Sequence, residues 1–154
     1  MNKLRVYAET SVVGGAFDEA FDTLSKPFWN AVLRGRVVLI VSDLLKDELS
    51  GAPKQVRDFF DQIPETQIEQ ITTTEQAKEL AMRYIAEKVV GKSSFSDCLH
   101  IALATLNHAD VLVSWNFKHI VNRTRINGYN GVNMKLGYSQ IDIRTPYEVI
   151  NDEK

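Results

Sequence analysis

The chain holds one cysteine, Cys98, in 154 residues, so it cannot close an internal disulfide or build a thiolate metal cluster. Proline and glycine are few, 4 and 8, which excludes collagen-like and low-complexity architectures. Long apolar runs are missing too. The longest is Val37–Val41, five residues, against about 20 for a membrane span. No charge of one sign dominates: 18 Lys+Arg face 20 Asp+Glu, a formal net charge of −2. That argues against a protein that coats nucleic acid through a broad positive field, but not against a local basic patch beside a bound cation. What is present, 44% apolar and 25% charged residues, suits a folded globular chain and excludes disorder. The length predicts a single domain over 1–154. Met1, Asn2 and Lys3 lead straight into a strand-like run with no apolar export segment. With the lone thiol, this predicts a reducing, cytoplasmic location and no membrane association.

Periodicity predicts alternating strands and helices. Arg5 to Glu9 reads as a strand, broken by Thr10-Ser11 and Gly14-Gly15. Thr23 to Arg34 has helical spacing and ends at Gly35. Val37 to Val41 reads as a strand buried on both faces. Ser42 caps a short helix to Ser50, and another covers Pro53 to Asp61. Gln67 to Ile71 alternates as an edge strand. A capping box at Thr73 and Gln76 opens a helix from Glu75 to Val90, ended by Gly91. Ser96 caps a helix through Asn107, and Val111 to Ser114 is a fourth strand. Phe117 to Asn122 reads as a short helical piece, and Asn127 to Gly137 as loop with one helix. Ile141 to Arg144 is a last strand, followed by Pro146. Five strands with helices between them predict a parallel α/β sandwich. In such sheets chemistry sits outside the carboxyl ends of the strands, at a topological switch point.

Four oxygen-bearing side chains occupy such ends. Glu9 ends the first strand, Glu48 follows the second, Asp97 lies in the first turn before the fourth, and Asn116 lies just beyond the fourth. An oxygen-only set suits a hard cation such as Mg²⁺ or Mn²⁺, which relieves the mutual repulsion of crowded carboxylates. Asp97 and Glu48 also have an ordinary explanation as helix-turn acids. Glu9 does not, because an acidic end to an apolar strand weakens it.

Other chemistries lack their motifs. There is no Gly-rich phosphate loop with lysine, no GxGxxG after the first strand and no GxSxG. His100, His108 and His119 show no metal-type pairing. His100, one turn past Asp97, reads as a partly buried helix residue or a support for the acids, and Cys98 as core. Trp115 reads as a core or rim aromatic rather than a base-stacking one.

Four segments carry a family resemblance. Val6-Tyr7-Ala8-Glu9-Thr10-Ser11, Ser42-Asp43-Leu44-Leu45-Lys46-Asp47-Glu48-Leu49, Ser96-Asp97-Cys98-Leu99-His100-Ile101-Ala102-Leu103-Ala104 and Val113-Ser114-Trp115-Asn116-Phe117-Lys118-His119-Ile120 resemble, in order, the four motifs of PIN-domain nucleases. The resemblance runs from Arg5 to about Val149 and includes toxins of the VapC type. It implies a three-layer α/β/α sandwich around a five-stranded parallel sheet of order 3-2-1-4-5. It also implies a metal-dependent endoribonuclease using Mg²⁺ or Mn²⁺. Glu9, Glu48, Asp97 and Asn116 would be the catalytic and metal-holding residues, with Thr10 and Ser114 orienting them from behind. Lys118, His119, Arg123 and Arg125, close after Asn116, would steady the RNA substrate or else form an ordinary solvated basic stretch. The partners implied are RNA, a cognate antitoxin and a second copy in a homodimer, the last through Phe17, Phe21, Phe28 and Trp29. Two positions depart from the family pattern: Glu9 stands where Asp is usual, and Asn116 where an acid is frequent. Fewer charges weaken cation binding. The alternative reading is therefore a weakened or inactive PIN-like module acting by RNA or protein binding.

Overall fold

The computed structural model of the chain describes residues 3–152. Its sheet is five-stranded, in the order β3-β2-β1-β4-β5, and every pairing is parallel. The strands are β1 (Leu4–Ala8), β2 (Val37–Ser42), β3 (Ile68–Ile71), β4 (Val111–Val113) and β5 (Ile143–Arg144). Central β1 pairs Tyr7 with Ile40 on one side and with Leu112 on the other. The chain first winds outward to β2 and β3, then crosses back to β4. The strand order therefore reverses between β1 and β4, which leaves a crevice at their carboxyl ends.

The two sheet faces bury separate apolar sets, because side chains alternate along a strand. Val6, Ala8, Leu39, Val41 and Val113 pack with Val12, Phe28, Trp29, Leu45 and Val149. These come from α1 (Thr10–Gly15), α2 (Asp22–Leu33), α3 (Asp43–Leu49) and α8 (Pro146–Asp152), with α4 (Lys54–Asp61) on the same layer through Val56. Tyr7, Ile40 and Leu112 face the other way, onto α5 (Glu75–Ala86), α6 (Phe95–Leu106) and α7 (Arg123–Lys135). This is the three-layer sandwich expected. No helix among the described residues is long and apolar enough to cross a membrane.

Several boundaries differ from those that periodicity predicts. Thr10 to Gly15 is a helix, although Thr-Ser-Val-Val-Gly-Gly has poor helix propensity. It forms because the Glu9 carboxylate caps Ser11 N at 3.2 Å and because Val12 and Val13 are buried. Helix α5 stops at Ala86, short of Val90. There Lys88 adopts a left-handed φ of 64° and its N–H and that of Val89 close back on Ile85 O and Tyr84 O at 2.9 and 3.0 Å. Gly35 and Gly137, at φ 74° and 83°, end α2 and α7 in the same way. The cap of α5 is Thr74, which accepts from Ala77 N, while Thr73 bonds Asp43 instead. Helix α6 starts at Phe95, which frees the expected cap Ser96 for another partner. Phe117 to Asn122 is turns rather than helix, and the ambiguous Asn127–Gly137 region lies largely within α7. Helix α8 was not anticipated, yet Thr145 and Glu148 form a reciprocal capping box at 3.0 and 3.2 Å, with Pro146 at the first helical position.

One glycine is fixed by packing. A Cβ on Gly15 would lie 2.6 Å from Trp115 Cδ1. The indole cannot withdraw: it stacks on Phe21 at 4.6 Å and its Nε1 donates to buried Ser25 Oγ at 3.0 Å. Gly15→Ala is expected to cost about 1–3 kcal/mol by overpacking. Urea unfolding with unchanged m-value measures it, and an unaltered midpoint would contradict this packing.

Candidate active site

Glu9 leaves the end of β1 at the crevice and is 6% exposed. Its Oε1 accepts from Ser11 Oγ and Ser114 Oγ, each at 2.6 Å. Ser11 Oγ also accepts from Trp115 N at 2.9 Å, and Ser114 Oγ from Asn116 N at 2.9 Å. The hydroxyls thus tie the ends of β1 and β4 together through one carboxylate. Ser114, expected from the resemblance as an orienting residue, contacts Glu9 directly, and so does Ser11, to which the motifs did not point.

Glu48 projects from α3 into a cage of donors. Thr10 Oγ1 makes a short bond to Oε1, His100 Nε2 lies 2.6 Å from the same oxygen, and Ser96 Oγ donates to Oε2 at 2.5 Å. Burial alone would raise this carboxyl. The three donors and the His100 charge outweigh burial and hold it at about 2. Ser96 and His100 lie four apart on α6 and so share one helix face.

His100 is 1% exposed, and its other nitrogen, Nδ1, lies 2.5 Å from Tyr7 Oη. Tyr7 Oη also lies 2.9 Å from Ser42 Oγ, which accepts from Leu45 N as the cap of α3. Burial pushes the Tyr7 phenol well above its ordinary range, so it remains a hydroxyl. Tyr7 Oη thus bridges Ser42 Oγ and His100 Nδ1, while His100 Nε2 meets the Glu48 carboxylate, so the ring is tied on both sides. His100 is therefore a buried support of Glu48. The signal was its i+4 spacing from Ser96 and i+3 from Asp97.

Asp97 differs from both acids. No hydrogen bond reaches its half-buried carboxylate among the described residues. Its carboxyl is raised by burial and then by the Glu9 charge, with Glu48 adding to this, while His119 and His100 pull it down. A carboxylate held unsolvated beside another is relieved by a cation.

Asn116 turns its oxygen inward. Oδ1 accepts from Lys118 N at 3.1 Å and His119 N at 3.0 Å, closing its own loop. Lys118 and Arg123 are exposed, and His119 is half-buried with an unpartnered Nδ1. Arg125 points elsewhere, donating from Nη1 to Val89 O in a short bond. Trp115 is core, as are Phe28 and Trp29, whereas Phe17 is exposed.

Among the described residues no three His, Cys, Asp or Glu side chains converge as a ready metal cage. The donor chemistry fits a smaller arrangement. Mg²⁺ keeps several waters and needs only one or two carboxylates. Asp97, with no other partner, and Glu9, whose charge acts on it, suit that role. Glu48, held by three donors, supplies charge from behind.

No family model matches the chain, and no curated protein matches it. Among solved structures it is similar to the crystal structure of VapBC2 from Rickettsia felis bound to a DNA fragment from their promoter. That likeness has a TM-score of 0.56 at 15% identity and covers 92% of this chain and 98% of that one. At such identity what is shared is the fold: the chain has the PIN-like α/β/α architecture, with its acidic crevice where the strand order 3-2-1-4-5 reverses.

Proposed function

We propose that the chain is a metal-dependent endoribonuclease, the toxin member of a toxin–antitoxin pair. The observation that carries this is Asp97: an acid with no hydrogen-bond donor, raised by burial and by Glu9, at the switch point of a PIN-like sheet. Asp97 and Glu9 would hold a Mg²⁺ or Mn²⁺ ion. When bound, the ion supplies Lewis acidity at a phosphoryl oxygen and lowers the pKa of a bound water. A carboxylate oxygen of Asp97 not engaged by the ion would accept the proton of the attacking water. A new water O–P bond forms, the P–O bond to the leaving strand breaks, and that oxygen takes a proton from solvent. Glu9 is kept in place by Ser11 and Ser114, and Glu48 by Thr10, Ser96 and His100. Lys118 and Arg123, exposed beyond Asn116, steady the strand.

A surface groove supports the antitoxin reading. It measures about 230 Å³ and is lined by Ala16, Phe17, Trp29, Leu33 and Phe59 together with the polar Asp22, Lys26 and Asn30. Trp29 Nε1 is buried there without an acceptor. A partner segment bringing an apolar side chain and one carbonyl completes it. A second copy of the chain, as a homodimer, would cover the same kind of surface.

The second reading, a non-catalytic RNA- or protein-binding module, is favoured by the missing three-acid cage among the described residues and by the Asn116 oxygen, already occupied by its own loop. The deciding experiment incubates purified chain with mixed-sequence single-stranded RNA and Mn²⁺ or Mg²⁺. The expected result is cleavage abolished by EDTA, together with calorimetric Mn²⁺ binding. A folded chain that neither binds Mn²⁺ nor cuts RNA is the module instead. Expression alone is expected to arrest growth, and normal growth at a normal soluble level refutes the toxin role.

A further inference from the structure

A second cleft is formed where the end of α5 meets the start of α7. It measures about 410 Å³ and is lined by Ile85, Lys88, Val90, Gly91, Lys92 and Arg125. Lys92 opens the turn that runs directly into α6, whose first turn carries Asp97. Arg125 lies in the first turn of α7, just after the loop that Asn116 closes. The cleft therefore opens at the same end of the fold as Asp97.

Its charge is one-sided. Three cations line it and no acidic residue does. The acid adjacent in sequence, Glu87, is occupied by Arg83 at 2.8 Å and Lys135 at 3.0 Å. Lys88 and Lys92 form no ion pair among the described residues. In a chain of net charge −2, three uncompensated cations in one cleft need a reason.

Two further features set this cleft apart from an ordinary solvated face. Lys88 takes the left-handed position that glycine fills at the ends of α2 and α7 and His108 at the end of α6, so a lysine stands where glycine is the less strained residue. Arg125 is half-buried and anchored through Nη1 to Val89 O, which leaves its remaining N–H groups fixed in direction. A guanidinium already held in place loses little freedom on meeting an anion.

We propose that the Lys88–Lys92–Arg125 cleft is a phosphate subsite that grips a backbone phosphate of the RNA strand cut at Asp97. This rests on the ribonuclease reading for its ligand but not for its chemistry, which is recognition of a phosphate group by three cations. It moves Arg125 out of the linear run with Lys118 and Arg123 and joins it to two lysines some 35 residues earlier.

The test measures binding of mixed-sequence single-stranded RNA in EDTA by fluorescence anisotropy, over a salt series from about 50 to about 200 mM. Lys88→Ala with Lys92→Ala is expected to weaken binding and to flatten the log–log salt slope by about 1.4, roughly 0.7 per lost contact. Lys54→Ala, which removes the exposed partner of Asp58, is expected to leave both unchanged. Lys88→Gly separates structure from binding: it is expected to raise the melting temperature while flattening the slope by about 0.7. In parallel, inorganic phosphate is expected to shift the Gly91 amide resonance in the wild type and not in the double variant. RNA binding with an unchanged slope in the double variant overturns the subsite and leaves the ribonuclease reading intact. A phosphate shift at Gly91 in a chain that does not bind RNA keeps the subsite and removes its assigned ligand. Neither a phosphate shift nor RNA binding overturns both.

Discussion

Asp97→Asn is expected to make the metal-free protein more stable and to cut RNA cleavage by about 10²–10⁴-fold, the usual weight of a positioned general base. The two effects have one cause. Asp97 is held half-buried with no donor, and Glu9 repels its charge. The sign follows: a carboxyl raised in the folded state opposes folding while ionised, and this penalty disappears as pH falls through its folded value. Asparagine keeps the shape and removes the charge at every pH. Thermal unfolding near neutral pH in EDTA, beside cleavage with Mn²⁺, measures both effects. Mn²⁺ should raise the melting point of the wild type and not of the variant. A variant that melts lower than wild type in EDTA would show that Asp97 serves the fold rather than a ligand.

His100→Ala is expected to cost about 2–4 kcal/mol, since it empties a buried site and strips a donor from a partly buried carboxylate. The more telling readout is the acid limb. Glu48 titrates at about 2 in the folded protein because His100, Ser96 and Thr10 donate to it. A depressed carboxyl contributes stability above its unfolded value, and that contribution is lost as pH falls toward the folded one. Without His100 the folded value rises, so acid unfolding should begin at higher pH. Urea midpoints measured from about pH 7 down to about pH 3 follow this, as that window brackets ordinary carboxyl titration. His100→Gln, which can still donate to Glu48, should recover part of the acid limb. An acid transition unmoved in His100→Ala would mean that Thr10 and Ser96 hold Glu48 unaided.

The alternation of five strands with helices was legible in the residue pattern, whereas the strand order 3-2-1-4-5 and the crevice it creates came only with the family resemblance. The unbroken β-branched run Val37–Val41 suits a strand buried on both faces, and Ser42 marks its exit into α3. The helix α1 was not legible, because its stability comes from a carboxylate cap and from burial rather than from its residues' propensities. Helix α8 was legible in principle: Thr145-Pro146-Tyr147-Glu148 is a capping box with proline at its first turn. At the site, the positions of Glu9, Glu48 and Asp97 could be read from strand ends. Their unequal environments could not, since whether an acid meets three donors or none depends on residues as distant as Thr10 and His100. The cleft of Lys88, Lys92 and Arg125 escaped for the same reason. It joins two segments that only the packing of α7 against the end of α5 brings together.

The placement of the two indoles makes the molecule its own optical probe. Trp115 adjoins Asn116 at the crevice, with its ring against Phe21 and its nitrogen on Ser25. Trp29 lines the groove, edge-on to Phe28 and Phe59 at 5.1 and 5.0 Å, with its nitrogen unpartnered. The chain has no other tryptophan. Trp29→Phe therefore leaves emission that reports on the crevice, and Trp115→Phe leaves emission that reports on the groove. Occupancy at either surface becomes readable in an unlabelled protein, one surface at a time.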